Sequence, residues 1–215
     1  MAAILWLHGL GDTGAGWQGA FSAVSRKVAN VKFHHPTAQV QPLSFEDGQK
    51  TTSWFDISTW QPPSAIGLQE PDRPAGLDET VAFVHQTLED MESQGIPAER
   101  IILGGFSQGG TSSLLAGLTY PKRLGGIVSI SGWATHRDTL VSEVSAANRD
   151  VPLWYSYGSN DPVIDPALAS KSAEVLKSFL GESITVMEVQ RGMHQPDGSE
   201  MRAVIDFMTS RLSSE

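Results

Sequence analysis

The chain has 215 residues with 40% hydrophobic and 18% charged side chains, a composition typical of one folded, soluble domain. Its formal net charge of −9 argues against nucleic-acid binding, and the lack of cysteine excludes disulfides, thiolate metal sites and a cysteine nucleophile. No apolar run is long enough to span a bilayer, and the first residues lack the pattern of a secretion signal. We therefore expect a cytoplasmic protein, for which transient contact with a membrane surface stays open.

Short apolar runs suited to buried parallel strands alternate along the chain with helical patterns. The predicted strands lie at 3–7, 31–35, 100–105, 126–131, 151–158 and 184–190. Helices are predicted at about 17–30, 77–91, 108–119, 166–180 and 199–212. Because parallel neighbours need crossover connections, this alternation predicts a single α/β domain with a mostly parallel central sheet and helices on both faces. Functional residues are then expected at the carboxyl ends of the strands.

One long segment, from about 36 to 74, shows no convincing helical pattern. It is rich in proline and contains the aromatic stretch TTSWFDISTWQPP. Loops of this length in a compact domain are usually functional or mobile. We expect this segment to cover the active site.

The stretch LGGFSQGG places Ser107 in a G-x-S-x-G motif between a predicted strand and a predicted helix. In that context the motif is typical of a nucleophile elbow, where a sharp turn presents the serine hydroxyl above the sheet. The flanking Gly105 and Gly109 avoid collisions with the neighbouring strand and helix. The alternative is a glycine-rich turn whose serine only caps the helix.

A serine nucleophile needs a base and an acid, which follow it along the chain in this arrangement. Two histidines follow Ser107, and His194 is favoured over His136 because it comes directly after the last predicted strand. For the acid, Asp161 is favoured over Asp165 because it lies closer to the end of its strand.

The N-terminal stretch HGLGDTGAG permits two interpretations. Residues 9–14 match the G-x-G-x-x-G fingerprint of dinucleotide-binding proteins, but the acidic residue expected about twenty positions later is missing. The alternative is a loop that supplies an oxyanion-hole amide in a serine hydrolase, with Leu10 and Gln108 as the two donors. The pair at 34–35 has no accompanying ligand pattern, so no metal site is predicted.

The motifs WLHGLGDTG, TTSWFDI, IPAERIILGGFSQGG, SGW and GSNDPVI, in this order, resemble the acyl-protein thioesterase family, also described as the phospholipase/carboxylesterase family of α/β hydrolases. The resemblance runs from Ile4 to the C-terminal helix. It implies the α/β-hydrolase fold and a triad of Ser107, Asp161 and His194. It also implies oxyanion-hole donors at Leu10 and Gln108, and no metal or organic cofactor.

The resemblance further implies substrates that are S-acylated proteins, lysophospholipids or small esters, bound through an apolar acyl tunnel. The candidates for the tunnel lining, besides Ile66, are Trp54, Trp133, Phe55, Leu68 and Val163. The sequence departs from the family's usual pattern at Gln195, where a serine often follows the histidine. Broad carboxylesterase or lysophospholipase activity and a non-catalytic ligand receptor stay open as alternatives, and the oligomeric state is not predicted.

Overall fold

The computed structural model describes residues 1–60, 66–68 and 72–213. Its strands are β1 (Ala2–Leu7), β2 (Val31–His34), β3 (Val40–Pro42), β4 (Lys50–Thr52), β5 (Ile101–Phe106), β6 (Gly126–Ile130), β7 (Leu153–Gly158) and β8 (Ile184–Val189). Its α-helices are α1 (Ser22–Lys27), α2 (Leu77–Ser93), α3 (Gln108–Thr119), α4 (Leu140–Glu143), α5 (Pro166–Leu180) and α6 (Gly198–Ser213).

Six strands form one central sheet in the order β2-β1-β5-β6-β7-β8, and every neighbouring pair is parallel. The mostly parallel sheet predicted from the alternating pattern is therefore confirmed, because all six predicted strands belong to it. In the described chain no helix is both long and apolar enough to cross a membrane.

The sheet is covered on both faces, as β1 shows most clearly. Its residues are all buried and alternate between two apolar clusters, Leu5 and Leu7 in one, Ile4 and Trp6 in the other. This alternation follows from the two-residue period of a strand. The first cluster contains side chains from α2, α3 and α5, and the second contains side chains from α1 and α6. The predicted placement of helices on both faces is thus confirmed.

The first predicted helix, at 17–30, is shorter in the structure than expected. A 3₁₀ turn at Gly14–Trp17 comes first, and α1 begins only at Ser22. The Asp12 carboxylate accepts hydrogen bonds from the Thr13 amide at 2.7 Å and the Trp17 indole at 3.1 Å. Together with the positive φ of 94° at Gly19, these contacts separate the turn from the helix.

The segment at 36–74 contains a short antiparallel hairpin, β3 with β4, that is separate from the main sheet. Three-residue strands with exposed or half-buried side chains leave no period in the sequence, which explains why the hairpin was not predicted. Ile66 forms an isolated parallel bridge with Ile164. The stretches 61–65 and 69–71 lie outside the described residues.

The parallel strands bring several loops to one edge of the sheet. Residues 8–12 follow β1, Ser107 follows β5, Asp161 follows β7 and His194 follows β8. This is the edge at which open parallel sheets bind ligands.

Candidate active site

Ser107 lies in a strained turn between β5 and α3. Its φ of 56° and ψ of −122° are unusual for a residue with a side chain. A Cβ atom at Gly105 would lie 2.3 Å from the carbonyl carbon of Gly109, and one at Gly109 would lie 2.2 Å from the Leu7 carbonyl oxygen. Both obstacles are backbone atoms, so this turn requires glycine at the two positions. The Ser107 hydroxyl is thereby held at the N-terminus of α3, where free N–H groups favour negative charge.

The structure brings Ser107, His194 and Asp161 together in one hydrogen-bonded chain. Ser107 Oγ lies 2.9 Å from His194 Nε2, and His194 Nδ1 lies 2.8 Å from Asp161 Oδ2. Since a carboxylate can only accept, Nδ1 donates to Asp161 and Nε2 is left to accept the serine proton. This is the tautomer that general-base catalysis requires.

Asp161 and His194 are fixed by further contacts. Asp161 Oδ1 accepts from the backbone N–H groups of Val163 at 2.7 Å and Ile164 at 3.0 Å. The Ser131 hydroxyl donates to the carbonyl of His194 at 2.8 Å, and the Phe106 ring lies 4.9 Å from the imidazole. The carboxylate and the imidazole are therefore oriented independently of any substrate.

The two competing candidates make contacts elsewhere. Asp165 caps α5 by accepting from the Ala167 amide at 2.8 Å. His136 Nδ1 lies 2.7 Å from Glu143 Oε2, in the segment that follows β6. Neither residue forms part of the chain that contains Ser107.

A cleft of about 390 Å³ opens beside Ser107 and His194. Besides these two, it is lined by Gly9, Leu10, Gly11, Asp12, Ile57, Trp60, Ile66, Phe106, Gln108, Trp133, Val163 and Gln195. Its volume falls within the range of small-molecule sites, and its walls combine apolar side chains with a few polar groups. Leu10 and Gln108, the expected oxyanion donors, both face this cleft.

Three of the expected lining residues lie outside the cleft. Phe55 is fully buried and packs edge-on against Trp133, with ring centroids 5.8 Å apart. Trp54 is buried and lines a second cavity together with Phe83. Leu68 is 54% exposed and does not line the cleft. The structure does not bring these three to the cleft, because core packing and solvent exposure take aromatic and aliphatic residues as readily as a binding site does.

The structure adds lining residues that the sequence analysis missed, among them Ile57, Trp60 and Phe106. Trp60 stacks on Phe45 at a centroid distance of 4.8 Å and remains 41% exposed. The density of aromatic residues between 54 and 60 was the available signal, but it did not indicate which ring faces the substrate. Gln195 also lines the cleft, in the position where the sequence departs from the family pattern.

His8 is completely buried in the loop that carries Leu10. Its Nε2 accepts from the Ala38 amide at 3.0 Å, so Nδ1 carries the proton and donates to the Gly9 carbonyl at 2.6 Å. Burial lowers the pKa of His8, which favours this neutral form. In the parts of the chain that the structure covers, no group of three or more potential metal ligands comes together.

Comparisons with known proteins show the family. The model of the phospholipase/carboxylesterase family matches residues 1–212. The acyl-protein thioesterase 1 of Gibberella zeae is 35% identical over 98% of this chain and 91% of that protein.

Among solved structures, Arabidopsis thaliana SOBER1 superposes with a TM-score of 0.88 at 26% identity, covering 99% of each chain. Zea mays acyl-protein thioesterase 2 gives a TM-score of 0.80 at 27% identity and covers 99% of this chain and 94% of that one. The chain therefore has the α/β-hydrolase fold and is a serine hydrolase that belongs to the phospholipase/carboxylesterase family.

Proposed function

We propose that the protein is an acyl-protein thioesterase, which hydrolyses the thioester between a fatty acyl group and a protein cysteine. The observation that carries this proposal is the chain from Ser107 through His194 to Asp161 at the wall of a largely apolar cleft. The relatives described as acyl-protein thioesterases support the substrate class.

In the proposed reaction Ser107 Oγ attacks the thioester carbonyl carbon while His194 Nε2 takes the hydroxyl proton. Asp161 stabilises the imidazolium that results. The amides of Leu10 and Gln108 donate to the oxyanion of the tetrahedral intermediate. The carbon–sulfur bond then breaks, and the thiol leaves with the proton from His194.

The acyl group remains on Ser107 as an ester. A water molecule next gives a proton to His194 as it attacks the acyl carbon. The second oxyanion that forms is held by the same two amides. Collapse of that intermediate returns the proton to Ser107 and releases a fatty acid. No step requires a redox change or a cofactor.

The apolar walls supply binding energy for the acyl chain. Ile66, Trp133 and Val163 line the cleft beside Ser107, and each methylene buried against such walls contributes about 0.8 kcal/mol. We place the reaction in the cytoplasm at membrane surfaces, where S-acylated proteins are held by their acyl chains. Ile57, Trp60 and Ile66 also line the cleft, and we propose that they cover the bound chain.

A second candidate is a carboxylesterase or lysophospholipase with no role on proteins. The matched family carries that description, and the same catalytic groups would cleave an oxygen ester. The two candidates differ in their leaving group, since a thiolate leaves more readily than an alkoxide. A non-catalytic receptor is disfavoured because the imidazole is already held in the tautomer that catalysis needs.

The test combines active-site labelling with substrate comparison. Wild type, Ser107→Ala and His194→Ala are treated with a fluorophosphonate, and mass spectrometry locates the adduct. We expect an adduct on Ser107 in wild type alone. An adduct elsewhere, or none, would show that the assigned nucleophile is wrong.

Turnover is then compared on a palmitoylated peptide thioester and on oxygen esters of the same and shorter chain length. We expect the thioester to have the highest kcat/KM. If the oxygen esters react equally well or faster, the carboxylesterase candidate replaces the thioesterase.

A further inference from the structure

The two proposed oxyanion donors belong to different parts of the chain. Leu10 is in the loop after β1, whereas Gln108 is the first residue of α3. The strands beneath them are paired up to Leu7 with Gly105, and beyond that pair the sheet no longer fixes the distance between the loops. Donors must lie about 2.7–3.1 Å from the developing oxyanion to stabilise it. Close backbone packing of Gly109 against the carbonyl oxygens of Leu7 and His8 sets part of this spacing, and side-chain hydrogen bonds between the two loops act beside it.

The side chain of Gln108 joins α3 to the segment 53–55 through three hydrogen bonds. Its Oε1 accepts from the Trp54 amide at 2.9 Å, and its Nε2 donates to the Phe55 carbonyl at 2.7 Å and to the Ser53 hydroxyl at 2.9 Å. The neighbouring amide and carbonyl allow only one orientation of the Gln108 side-chain amide. Gln108 is 1% exposed, so water does not compete for these bonds.

The same segment reaches the other donor loop through the Trp54 side chain. The indole Nε1 donates to the carbonyl of His8 at 2.8 Å, two residues before Leu10. The Trp54 and His8 rings are also in contact, with centroids 5.1 Å apart. His8 in turn holds the Gly9 carbonyl and the Ala38 amide. These buried contacts thus connect the Gln108 side chain, through Trp54, to the loop that carries Leu10.

We propose that the side chains of Trp54 and Gln108 are positioning residues that set the spacing between the Leu10 and Gln108 amides. Neither side chain needs to touch the substrate: Trp54 acts through the His8 carbonyl, and the Gln108 amide group acts through Trp54. This inference rests on the proposed function, because it assigns the support of the same oxyanion hole. It also gives Trp54, which lies outside the cleft, a role in the reaction.

The experiment compares Trp54→Phe with Trp154→Phe. Both replacements remove an indole hydrogen bond and the same volume from a buried site, but the Trp154 indole donates to Ser156 Oγ at 3.1 Å, in the apolar cluster on the other face of the sheet. Steady-state turnover of p-nitrophenyl butyrate gives kcat and KM. Inhibition by an alkyl trifluoromethyl ketone, which forms an oxyanion on a serine, is compared with inhibition by the primary alcohol of equal chain length, which does not.

For Trp54→Phe we expect kcat to fall about tenfold to a hundredfold, which is less than the full loss of one donor. KM should change by less than about threefold, since the cleft is intact. Trifluoromethyl ketone affinity should fall in parallel with kcat, and alcohol affinity should stay the same. Trp154→Phe should keep kcat within about twofold of wild type.

The inference is overturned if Trp54→Phe loses no more kcat than Trp154→Phe, or if ketone and alcohol lose affinity equally, which general loosening would produce. If Trp54→Phe does not fold, Gln108→Met, which keeps the backbone amide and removes the other half of the connection, is measured instead. Because Gln108 also lines the cleft, the criterion is then the ratio of ketone to alcohol affinity, which should fall in parallel with kcat. Wild-type turnover that is independent of Ser107 would instead overturn the proposed function, and this inference with it. If turnover depends on Ser107 but Trp54→Phe keeps the kcat of wild type, the inference is overturned and the proposed function is retained.

Discussion

Two regions beside the cleft are held by different kinds of interaction. The floor is the layer beneath the loops that carry Leu10 and Gln108, and the outer wall is where residues 72–73 pack against the segment 133–143. In the floor, His8, Trp54 and Gln108 are at most 5% exposed and are joined by hydrogen bonds between neutral groups. In the outer wall, the ion pairs Arg73–Glu143 and Arg137–Asp72, at 2.6 and 3.2 Å, join residues 72–73 to the segment that carries Trp133. The side chain of Arg73 is 55% exposed.

This difference predicts fixed positions for the groups in the floor and weaker restraint of the outer wall. Buried neutral hydrogen bonds are insensitive to salt and gain strength from the low dielectric, so they can fix donor positions. Partly exposed ion pairs contribute about 0–1 kcal/mol each and are screened by salt. Changes in the floor should therefore act on kcat, whereas changes in the wall should act on substrate affinity and stability.

The largest effect is expected from Asp161→Asn. Two backbone amides hold Oδ1, so the new side-chain NH₂ would point at His194 Nδ1 and force the proton onto Nε2. That tautomer cannot accept the serine proton, and the same change in another serine hydrolase triad lowers kcat about 10⁴-fold. The matched control is Asp165→Asn, because asparagine also caps a helix; it should leave kcat unchanged. The measurement is kcat with p-nitrophenyl butyrate for both variants. Equal losses of kcat in the two variants would contradict the assignment of Asp161.

The next change, Gly105→Ala in the turn at Ser107, should act on stability. The added Cβ would meet the backbone of Gly109 at 2.3 Å, and neither strand nor helix can move away without disturbing the turn at Ser107. Overpacking of this kind costs about 1–3 kcal/mol or more. Gly198→Ala is the control, since its Cβ would meet only the flexible end of Arg202 at 3.5 Å. Urea unfolding should show a loss in the first variant only; equal stability would mean that the turn relaxes.

The sequence predicted the triad better than the contacts that surround it, and the reason is physical. A sharp turn after a buried strand requires glycine on both sides of Ser107, so neighbouring residues in the sequence are enough to indicate the nucleophile. The triad partners could be found from strand ends because parallel strands deliver them to one edge. By contrast, the hairpin of β3 and β4 and the orientation of Trp54 depend on distant contacts, which leave no local period. Because both are tryptophans in the same aromatic stretch, the sequence does not show that Trp54 lies in the floor while Trp60, six residues later, lines the cleft.

In the cleft lining, Val163→Ala tests whether the apolar side chains bind the acyl chain. The backbone amide that holds Asp161 is kept, while about two methyl groups facing the cleft are lost. At about 0.8 kcal/mol per methylene, KM for a long-chain ester should rise severalfold to about tenfold, with kcat little changed. Val141→Ala, at an exposed position of α4, is the control. A fall in kcat without a change in KM would place Val163 with the floor instead.

The smallest effect is expected from Glu143→Gln. Burial alone raises the pKa of Glu143, but hydrogen bonds from His136, Thr139 and Arg73 outweigh it and lower the pKa from 4.5 to about 2. Because the folded state favours the carboxylate, its contribution to stability is present above the ordinary pKa and is lost as the pH falls from about 4.5 toward 2. The variant should be less stable than wild type at pH 7 by up to about 1 kcal/mol, or a few degrees in Tm.

Thermal unfolding at pH 7, 4.5 and 3 checks this sign, since the difference from wild type should shrink as the pH falls and as salt is added. Glu174→Gln, in an exposed pair with Lys171, should change Tm little at any pH. A difference that stays constant from pH 7 to 3 would mean that Glu143 acts through packing and not through charge. In that case the outer wall would be held by the same kind of contact as the floor, and the expected separation between kcat and affinity would lose its physical basis.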